Sequence, residues 1–540
     1  MRKIRNHNEV KMKKVYIYDT TLRDGAQFEG ISFSVNDKMR IASKLDELGV
    51  DFIEGGWPGS NPKDDEFFKK AAKTLKLKRS ILTAFGSTCR ADASPASDTV
   101  IRGLLKAETE YLTIFGKSWD LHVKAIIKTS LDENLRMIEE SIKYLKKKEK
   151  RVIFDAEHFF DGYENNPEYA VKALKAALAG GAETLVLCDT NGGSLTSRIF
   201  EVVEEVTVAV KAPLGIHTHN DAEMAVANSI AAVQAGCVQV QGTFNGYGER
   251  CGNANLVSIL PALKFKLGFD CLSEFEFKDL TEASRYIAEI SNVKQQDSQP
   301  YVGKSAFAHK AGVHVNAIIK NPKSYEHMEP SKVGNKRRML ISELSGKSSI
   351  AEKAEDMGVS IDKSSAETKT ILTRVQDMEK EEYQFELAEA SLFLLMKRAS
   401  ETFKKYFEME EFRVIIEQRK NGPIVSEATV KLKIGSNVRH TVSLGDGPVH
   451  ALDQALRKSL VETYPELKEM HLSDFRVRVL DERSATAAKV RVLIQSQDKN
   501  DSWWTVGVSE NIIEASWIAL KDSIEYKFAK DERNKKGKKK

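Results

Sequence analysis

This 540-residue chain lacks three features: paired cysteine motifs, long apolar runs and a secretory signal. Each absence excludes a class of protein. Its five cysteines are odd in number and form no CxxC pair, which predicts free thiols in a reducing compartment and argues against a disulfide framework or zinc knuckle. No apolar run approaches the roughly 20 residues that span a bilayer, so no membrane partner is expected. The basic start, residues 1–14, lacks the apolar segment of a secretory signal, which predicts a cytoplasmic protein.

A strong excess of one charge is also missing. The 82 basic and 78 acidic residues give a net charge of +4, and we expect no nucleic-acid partner. The lysine-rich end, residues 529–540, is predicted to be a solvated, disordered tail. With 41% hydrophobic and 30% charged residues the chain is an ordinary soluble globular protein, and its length predicts two or three domains.

In the first half of the chain, short apolar strands alternate with amphipathic helical segments. Short apolar strands are typical of a parallel sheet covered by helices, and eight such units predict an α/β fold, a closed (β/α)₈ TIM barrel over residues 15–271. An open doubly wound sheet is the alternative, which the lack of a GxGxxG turn after the first strand disfavours. The predicted strands are residues 15–21, 51–55, 80–85, 111–115, 151–157, 184–189, 214–219 and 238–244.

The rest of the chain has a different pattern. Residues 272–405 are mostly helical by pattern and are predicted to form a helical subdomain. Residues 406–528 twice repeat three strands and a helix, which predicts a C-terminal α+β domain of two βββα units for regulation or dimerisation. These strands are residues 412–417, 426–434, 439–443, 475–480, 488–495 and 503–508, with helices at 449–460 and 511–528.

Polar residues follow the predicted barrel strands where each strand ends. Because the carboxyl ends of all barrel strands meet on one face, these side chains are expected to converge there, where TIM-barrel enzymes place their chemistry. Core packing would not predict polar residues at most strand ends. The residues are Arg23, Asp24, Glu54, Glu157, Asp189, Thr190, His217, His219 and Asn245, with a glycine-rich stretch to Asn253.

His217 and His219 form an HxH pair at the end of the seventh strand. Residues two apart on a strand point to the same side, so both imidazoles can reach one metal ion, with Asp24 supplying a carboxylate and Asn253 an amide oxygen. Manganese, magnesium, cobalt or zinc would each accept this set. The alternative is a pair of hydrogen-bonded histidines without a metal.

Four further residues are candidates for the chemistry. Arg23 beside a metal can stabilise a developing enolate oxygen, although a structural ion pair is the alternative. Glu157 is a candidate general acid or base. His309 and His314 lie outside the predicted barrel, where a mobile histidine could act as a base; from composition alone, a surface or packing role is the alternative.

Several motifs together resemble the DRE-TIM metallolyase superfamily. They are DTTLRDG at residues 19–25, HTHND at 217–221 and GERCGNANL at 248–256. The paired βββα units are similar to those of the isopropylmalate and citramalate synthases within it, and the EGGWPGSNPKD stretch at 54–64 is most like the longer type of citramalate synthase. The resemblance implies a divalent metal and a Claisen-type condensation of acetyl-CoA with pyruvate to give (R)-citramalate and CoA.

The resemblance also implies roles for individual residues. Asp24, His217 and His219 match the family's metal ligands, and Asn253 matches a position sometimes near the metal. Arg23 matches the residue that contacts the 2-oxo group of the substrate, beside Asp24.

Further roles follow from the same motifs. Thr190 matches the residue that holds the substrate carboxylate, and Asp155 occupies a position that in some relatives holds a different contact to the oxo acid. Glu157 matches a proton donor or relay. His314 matches the base that deprotonates the acetyl group, with Tyr325 nearby, so movement of the helical subdomain is expected to gate the reaction.

Alternatives remain open. A 2-isopropylmalate synthase, which uses 2-oxoisovalerate, differs only by a small apolar group on the substrate, worth about 1–3 kcal/mol. A lyase or aldolase would not be expected to carry the C-terminal units, and the intact polar set argues against a non-catalytic branched-chain amino-acid sensor. Feedback by isoleucine and a homodimer are expected from the C-terminal domain.

Overall fold

The computed structural model describes residues 13–342, 345–359, 361, 365–399, 403–418, 420, 422–480 and 488–537. Nearly all of the predicted N-terminal extension, residues 1–14, therefore lies outside the described residues. The chain forms two compact units. The first comprises Met1–Phe307 and Met328–Lys336, and the second comprises Ala308–His327 and Arg337–Lys540.

Eight parallel strands close into a barrel in the first unit, which confirms the predicted TIM barrel. Each strand pairs with the next in the sequence, and the last pairs with the first, with Tyr16 beside Gln239 and Asp19 beside Gly242. All eight strands fall within two or three residues of their predicted limits. They are β1 (Tyr16–Asp19), β2 (Phe52–Glu54), β3 (Ile81–Ser87), β4 (Tyr111–Lys117), β5 (Arg151–Glu157), β6 (Thr184–Asp189), β7 (Leu214–Thr218) and β8 (Gln239–Gly242).

Helices surround this barrel, and local sequence explains where several of them begin. Ser34 and Asn61 accept hydrogen bonds from backbone N–H groups of the first turns that they cap, as Asp98 and Ser130 do for two later helices. The helices are α1 (Val35–Leu48), α2 (Pro62–Thr74), α3 (Thr99–Lys106), α4 (Leu131–Lys147), α5 (Phe159–Asn165), α6 (Pro167–Gly180), α7 (Thr196–Ala209), α8 (Ala225–Ala235), α9 (Leu256–Pro261), α10 (Glu274–Phe277) and α11 (Leu280–Ile290).

The predicted helical subdomain, residues 272–405, is divided between the two units. One face of α11 is apolar, and its residues Leu280, Ala283 and Ile287 are buried in the same core cluster as the helices of the barrel. Phe307 belongs to that cluster as well. Residues 272–307 therefore pack with the barrel, because the apolar face of α11 supplies part of its outer core.

The second unit contains the two predicted βββα repeats, each a three-stranded antiparallel sheet in sequence order. Both helices and both sheets contribute to one core, with Leu432, Leu456, Ile494 and Leu520 buried in it. The elements are β9 (Ala308–His309), α12 (Gly312–Lys320), β10 (Arg338–Met339), α13 (Lys347–Asp356), α14 (Ala366–Lys380), α15 (Glu389–Ala399), β11 (Glu408–Gln418), β12 (Ile424–Ile434), β13 (Asn437–Gly445), α16 (Pro448–Leu460), β14 (His471–Val479), β15 (Val490–Gln497), β16 (Ser502–Ser509) and α17 (Ile512–Gly537).

The structure differs from the prediction at the end of the chain. Helix α17 runs to Gly537, so most of the segment expected to be a disordered tail is helical, and residues 538–540 lie outside the described residues. Lys527 and Lys530 bind the buried carboxylate of Asp498 at 2.8 and 3.0 Å, and Lys527 also binds Asp531 one turn later. These ion pairs hold a lysine-rich sequence in a helix. Within the described residues, no helix is both long and apolar enough to cross a bilayer.

Candidate active site

The turn after β1 is shaped by a carboxylate of the strand itself. Asp19 accepts hydrogen bonds from the backbone N–H and the hydroxyl of Thr21, both at 2.9 Å. The chain then makes a short 3₁₀ turn at Gly25–Gln27. This turn leaves Asp24 buried and Arg23 mostly buried at the mouth of the barrel.

Asp24, His217 and His219 come together in that mouth. Their nearest ligand atoms all lie within 4.8 Å of one another. Nε2 of His217 lies 3.3 Å from Oδ2 of Asp24 and 3.4 Å from Nε2 of His219. For metal–ligand bonds of about 2.1 Å, neighbouring ligands lie about 3.0 Å apart in an octahedron and about 3.4 Å in a tetrahedron, so these separations suit one ion.

Two polar atoms at the cluster are buried and have no hydrogen-bond partner within the described residues, Nδ1 of His219 and Oδ1 of Asn253. Asn253 is paired with His219 through an isolated β-bridge, and its Nδ2 lies 2.8 Å from Oδ2 of Asp24 and 3.4 Å from Nε2 of His217. The two ends of an amide are exchangeable. If the amide of Asn253 is rotated by a half-turn, its Oδ1 faces the cluster and could bind a cation there.

A glycine makes room for this amide. A Cβ built on Gly248 would lie 1.8 Å from Oδ1 of Asn253, and the φ of Gly248 is +155°. Any other residue at this position would displace the Asn253 side chain from the cluster.

The charges of the cluster fit a bound cation. Burial alone would raise the pKa of Asp24, but the charge of Arg23 and the hydrogen bond to His217 outweigh it and hold that pKa far below its ordinary value. Burial opposes the charged form of His217, yet Asp24 raises its pKa. Burial and the neighbouring His217 lower the pKa of His219 to about 4. Asp24 is therefore an ionised carboxylate, and His219 is a neutral imidazole at pH 7.

Arg23 is fixed by a carboxylate that the sequence did not single out for a role. Nε of Arg23 lies 2.6 Å from Oε1 of the fully buried Glu54, and Nη1 lies 3.1 Å from Oδ1 of Asp24. Tyr18 donates a 2.8 Å hydrogen bond to the other oxygen of Glu54. The guanidinium also lies 3.8 Å from the ring centre of Phe85. The sequence feature that could have indicated a role for Glu54 was its position at the end of β2.

Asp155, Glu157 and Thr190 line one cavity of about 200 Å³ with the cluster. Asp189 and Asn245 do not line it, because Asp189 accepts a hydrogen bond from Ser194 and Asn245 donates one to the backbone oxygen of Ser284. Thr190 follows β6, and its hydroxyl oxygen accepts a 2.9 Å hydrogen bond from the backbone N–H of His158. Glu157, at the end of β5, is paired with Lys117. Burial raises the pKa of Asp155 to about 7, with His217 acting in the opposite direction.

Arg250 ties together the loops around this cavity. Its guanidinium binds Asp221 at 2.7 Å and the backbone oxygen of Thr190 at 2.8 Å. Thr190 follows β6, Asp221 follows β7, and Arg250 follows β8. The GERCGNANL motif therefore supplies both Asn253 for the cluster and a cross-link between three loops.

His314 and Tyr325 belong to the second unit. Their rings stack with centres 4.2 Å apart, and both side chains are exposed. His309, in the same segment, lies 3.4 Å from the buried carboxylate of Glu326, which also binds Arg337 at 2.6 Å. Burial lowers the pKa of His309. His309 thus has packing partners, whereas His314 presents an accessible imidazole.

Family models match the chain in three consecutive segments. Residues 14–287 match the model described as HMGL-like, and residues 301–383 match the one described as homocitrate synthase post-HMGL domain-like. Residues 386–528 match the LeuA allosteric (dimerisation) domain. The first segment contains the barrel, and the last contains the two βββα repeats.

Curated relatives align over nearly the whole chain. The (R)-citramalate synthases of Aquifex aeolicus and Geobacter sulfurreducens are 56% and 53% identical to it over 522 residues, 96% of this chain and 99% of each relative. The chain belongs to the (R)-citramalate synthase family of the DRE-TIM metallolyases. The predicted family is thus confirmed, and so is the prediction of an enzyme. The 2-isopropylmalate synthase of Methanocaldococcus jannaschii is 30% identical over 525 residues, which disfavours that alternative.

Proposed function

We propose that this protein condenses acetyl-CoA with pyruvate and water to give (R)-citramalate and CoA, on the route through 2-oxobutanoate to isoleucine. One observation carries the proposal. The buried cluster of Asp24, His217 and His219 lies beside Arg23 in a chain 56% identical to a curated (R)-citramalate synthase. The cytoplasmic location stays a prediction.

We assign the metal site to Asp24, His217, His219 and, with its amide turned, Asn253. The buried amide oxygen of Asn253, which has no hydrogen-bond partner within the described residues, supports this assignment. A divalent ion bound there supplies a Lewis acid for the oxygens of the 2-oxo acid. Two imidazoles and a carboxylate suit manganese, magnesium, cobalt and zinc.

Arg23 would support the negative charge that develops on the keto oxygen. Its ion pairs with Glu54 and Asp24 keep it charged and in place, so it need not reorganise during the reaction. Thr190 would hold the carboxylate of the oxo acid. Its hydroxyl oxygen already accepts a hydrogen bond from the N–H of His158, so the hydroxyl proton can be donated to the carboxylate.

Aromatic side chains support the choice of pyruvate. Trp57 packs edge-on against Phe85 and Phe115 at ring-centre distances of 5.7 and 5.5 Å, and all three line the cavity. Bulky aromatic rings in a cavity of about 200 Å³ favour a methyl substituent on the oxo acid over a branched one. Replacing Trp57 with alanine should therefore raise the use of 2-oxoisovalerate relative to pyruvate about tenfold or more.

We assign deprotonation of the acetyl methyl group to His314, next to Tyr325, and proton donation or relay to Glu157. The enolate of the thioester then forms a bond to the keto carbon, and water releases CoA as a thiol. The accessible imidazole of His314 supports this choice over His309, which is held by Glu326. The variant H314Q should lose about 10²–10⁴-fold in kcat, whereas the matched variant H309Q should retain most activity.

A panel of 2-oxo acids tests the proposed function. Purified protein is given acetyl-CoA with pyruvate, 2-oxobutanoate or 2-oxoisovalerate in turn, and the release of CoA thiol is followed. We expect pyruvate to give the highest kcat/KM and activity to depend on added Mn²⁺ after chelation. A clear preference for 2-oxoisovalerate, or cleavage of a 3-hydroxyacyl-CoA without condensation, would overturn the proposal.

We further propose that isoleucine inhibits the enzyme through the C-terminal domain. A cavity of about 840 Å³ lies there between α16 and the start of β14. Within the described residues, Oδ1 of Asp453 is buried at this cavity without a partner and could accept an ammonium group. The full-length variant D453N should need at least about tenfold more isoleucine for half-inhibition. The exposed Glu462 of the same region provides the control E462Q, and equal curves for both variants would contradict the assignment.

We also propose a homodimer, which the LeuA allosteric (dimerisation) domain supports. The sheet of β11–β13 exposes large apolar side chains, among them Ile416, Val438 and Leu444 at 58%, 50% and 62%. Exposed apolar patches of this kind mark protein interfaces. Sedimentation should give a dimer for the native chain and a monomer for L444D; a native monomer would refute the proposal.

A further inference from the structure

Gln241 does not line the cavity at the barrel mouth, yet it contacts a proposed metal ligand directly. It lies on β8, is fully buried, and its Oε1 is 2.9 Å from Nδ1 of His217. Its Nε2 donates a 3.0 Å hydrogen bond to Oδ1 of Asp155 on β5. We infer that Gln241 is a positioning residue, which fixes the ring and tautomer of His217 for metal binding.

The direction of each hydrogen bond follows from the chemistry of the groups. A metal bound through Nε2 of His217 requires a lone pair there, so the proton of the neutral ring must lie on Nδ1. That N–H needs an acceptor, which Oε1 of Gln241 supplies. The amide nitrogen of Gln241 then faces Asp155, whose carboxylate accepts. Asp155 thereby orients the amide, and the amide orients the imidazole.

His219 lacks a comparable support. Its Nδ1 is buried with no hydrogen-bond partner within the described residues, and the backbone N–H of His219 bonds to the oxygen of Asp189. Of the two histidines, His217 is thus the one whose Nδ1 proton has a fixed acceptor, which orients its ring with Nε2 toward the cluster. Partners of this kind contribute about 10–100-fold to metal affinity in proteins.

The inference rests on the proposed metal site, and the test uses Mn²⁺ binding to the metal-free full chain without turnover. The electron paramagnetic resonance signal of free Mn²⁺ gives the dissociation constant directly. In Q241L the acceptor for Nδ1 is lost in a side chain of similar size, and we expect the dissociation constant to rise about 10–100-fold. In the double variant Q241E/D155N a carboxylate oxygen still accepts from His217 and the amide at position 155 donates to the other oxygen, so we expect affinity within about threefold of the native chain.

Gln239 provides a matched control. It is a buried glutamine two residues earlier on β8, it points to the same side of the strand, and its Oε1 has no hydrogen-bond partner within the described residues. The variant Q239L should bind Mn²⁺ as the native chain does, because it contacts no proposed ligand.

The outcomes separate this inference from the proposed function. A native chain that binds no Mn²⁺ would overturn the metal site itself. A native chain that binds Mn²⁺, with Q241L binding equally well, would overturn only the role of Gln241. Equal losses in Q241L and Q239L, or in Q241L and Q241E/D155N, would also overturn it, since packing rather than the acceptor oxygen would then explain the effect.

Discussion

Replacing Glu54 with glutamine tests whether a buried carboxylate positions Arg23. Glu54 is fully buried, and its Oε1 lies 2.6 Å from Nε of Arg23. Glutamine has nearly the same shape and keeps an acceptor for Arg23, so the variant E54Q removes mainly a charge. The amide nitrogen can donate to the hydroxyl of Tyr18, which now donates to Glu54.

The structure allows the magnitude to be worked out. Breaking a buried ion pair typically costs about 3–5 kcal/mol, because an uncompensated charge remains. Arg23 keeps Asp24 at 3.1 Å and the ring of Phe85 at 3.8 Å. We therefore expect a loss of about 2–3 kcal/mol, which corresponds to about 3–5 °C in Tm for a unit of this size.

Calorimetry and kinetics measure the two consequences. Scanning calorimetry of the metal-free protein should show the lower Tm in E54Q. A preorganised donor is worth about 10²–10³-fold in kcat. Because Arg23 is loosened and not removed, we expect a loss of about tenfold in kcat with pyruvate. The exposed Glu29 in the same loop supplies the control variant E29Q.

Two results would refute this reasoning. Unchanged Tm and kcat in E54Q, relative to E29Q, would mean that Glu54 neither stabilises nor positions Arg23. A double-mutant cycle gives the second check, since the double variant R23Q/E54Q should lose less stability than the sum of the single variants. Strict additivity would mean that the two side chains do not interact.

Three further predictions follow from buried groups. Chelation should lower Tm, and Mn²⁺ at about 100 times its dissociation constant should restore about 2.7 kcal/mol in the native chain but not in H219A. Iodoacetamide should label Cys251, which is exposed, and spare the four buried thiols in the folded protein, as mass spectrometry can count. Burial raises the pKa of Asp19 to about 7, so its contribution to stability is present below pH about 4 and lost as the pH rises toward 7. The variant D19N has no such loss, so its free energy of unfolding relative to the native chain should rise by about 3 kcal/mol between pH 5 and pH 8, and its relative Tm should rise with it.

Each of these has its own control. Recovery of H219A by Mn²⁺ equal to that of the native chain would remove His219 from the metal site. Full labelling of all five thiols after denaturation must accompany the single native label, and native labelling of Cys188 would contradict its burial. A Tm difference for D19N that stays constant from pH 5 to pH 8 would mean that Asp19 titrates alike in the folded and unfolded chains.

The sequence was sufficient for the barrel and for the residues at its mouth. Apolar strands that alternate with amphipathic helices leave few other folds, and the carboxyl ends of parallel strands must share one face. The spacing of His217 and His219 on one strand puts both rings on the same side. The positions of Asp24, Thr190 and both histidines at strand ends were therefore enough to predict them as site residues before any interatomic distance was known.

Which side chains of different strands touch inside the barrel was beyond the sequence. Gln241 on β8 reaches His217 on β7 and Asp155 on β5, and that meeting depends on the stagger of the strands around the barrel. The sequence did predict Asn253 for the metal site, but its β-bridge to His219 depends on the path of a loop. The lysine-rich composition of the C-terminus wrongly predicted a disordered tail. Lys527 and Lys530 pair with a buried carboxylate that no local sequence pattern indicates.

The charge balance of the barrel mouth argues for a divalent ion independently of the histidines. When ionised, the buried carboxylates of Asp24, Glu54 and Asp155 carry three negative charges against the single positive charge of Arg23, which leaves two. In a dry site such an excess is costly unless a cation or protons neutralise it. Protons take part of this role in the metal-free chain. Burial and the charge of Glu54 raise the pKa of Asp155 to about 7, although His217 opposes the shift, and Asp24 outweighs burial to raise the pKa of His217. A bound divalent ion would replace those protons. The raised pKa values of Asp155 and His217 therefore reflect the excess negative charge that the ion would neutralise.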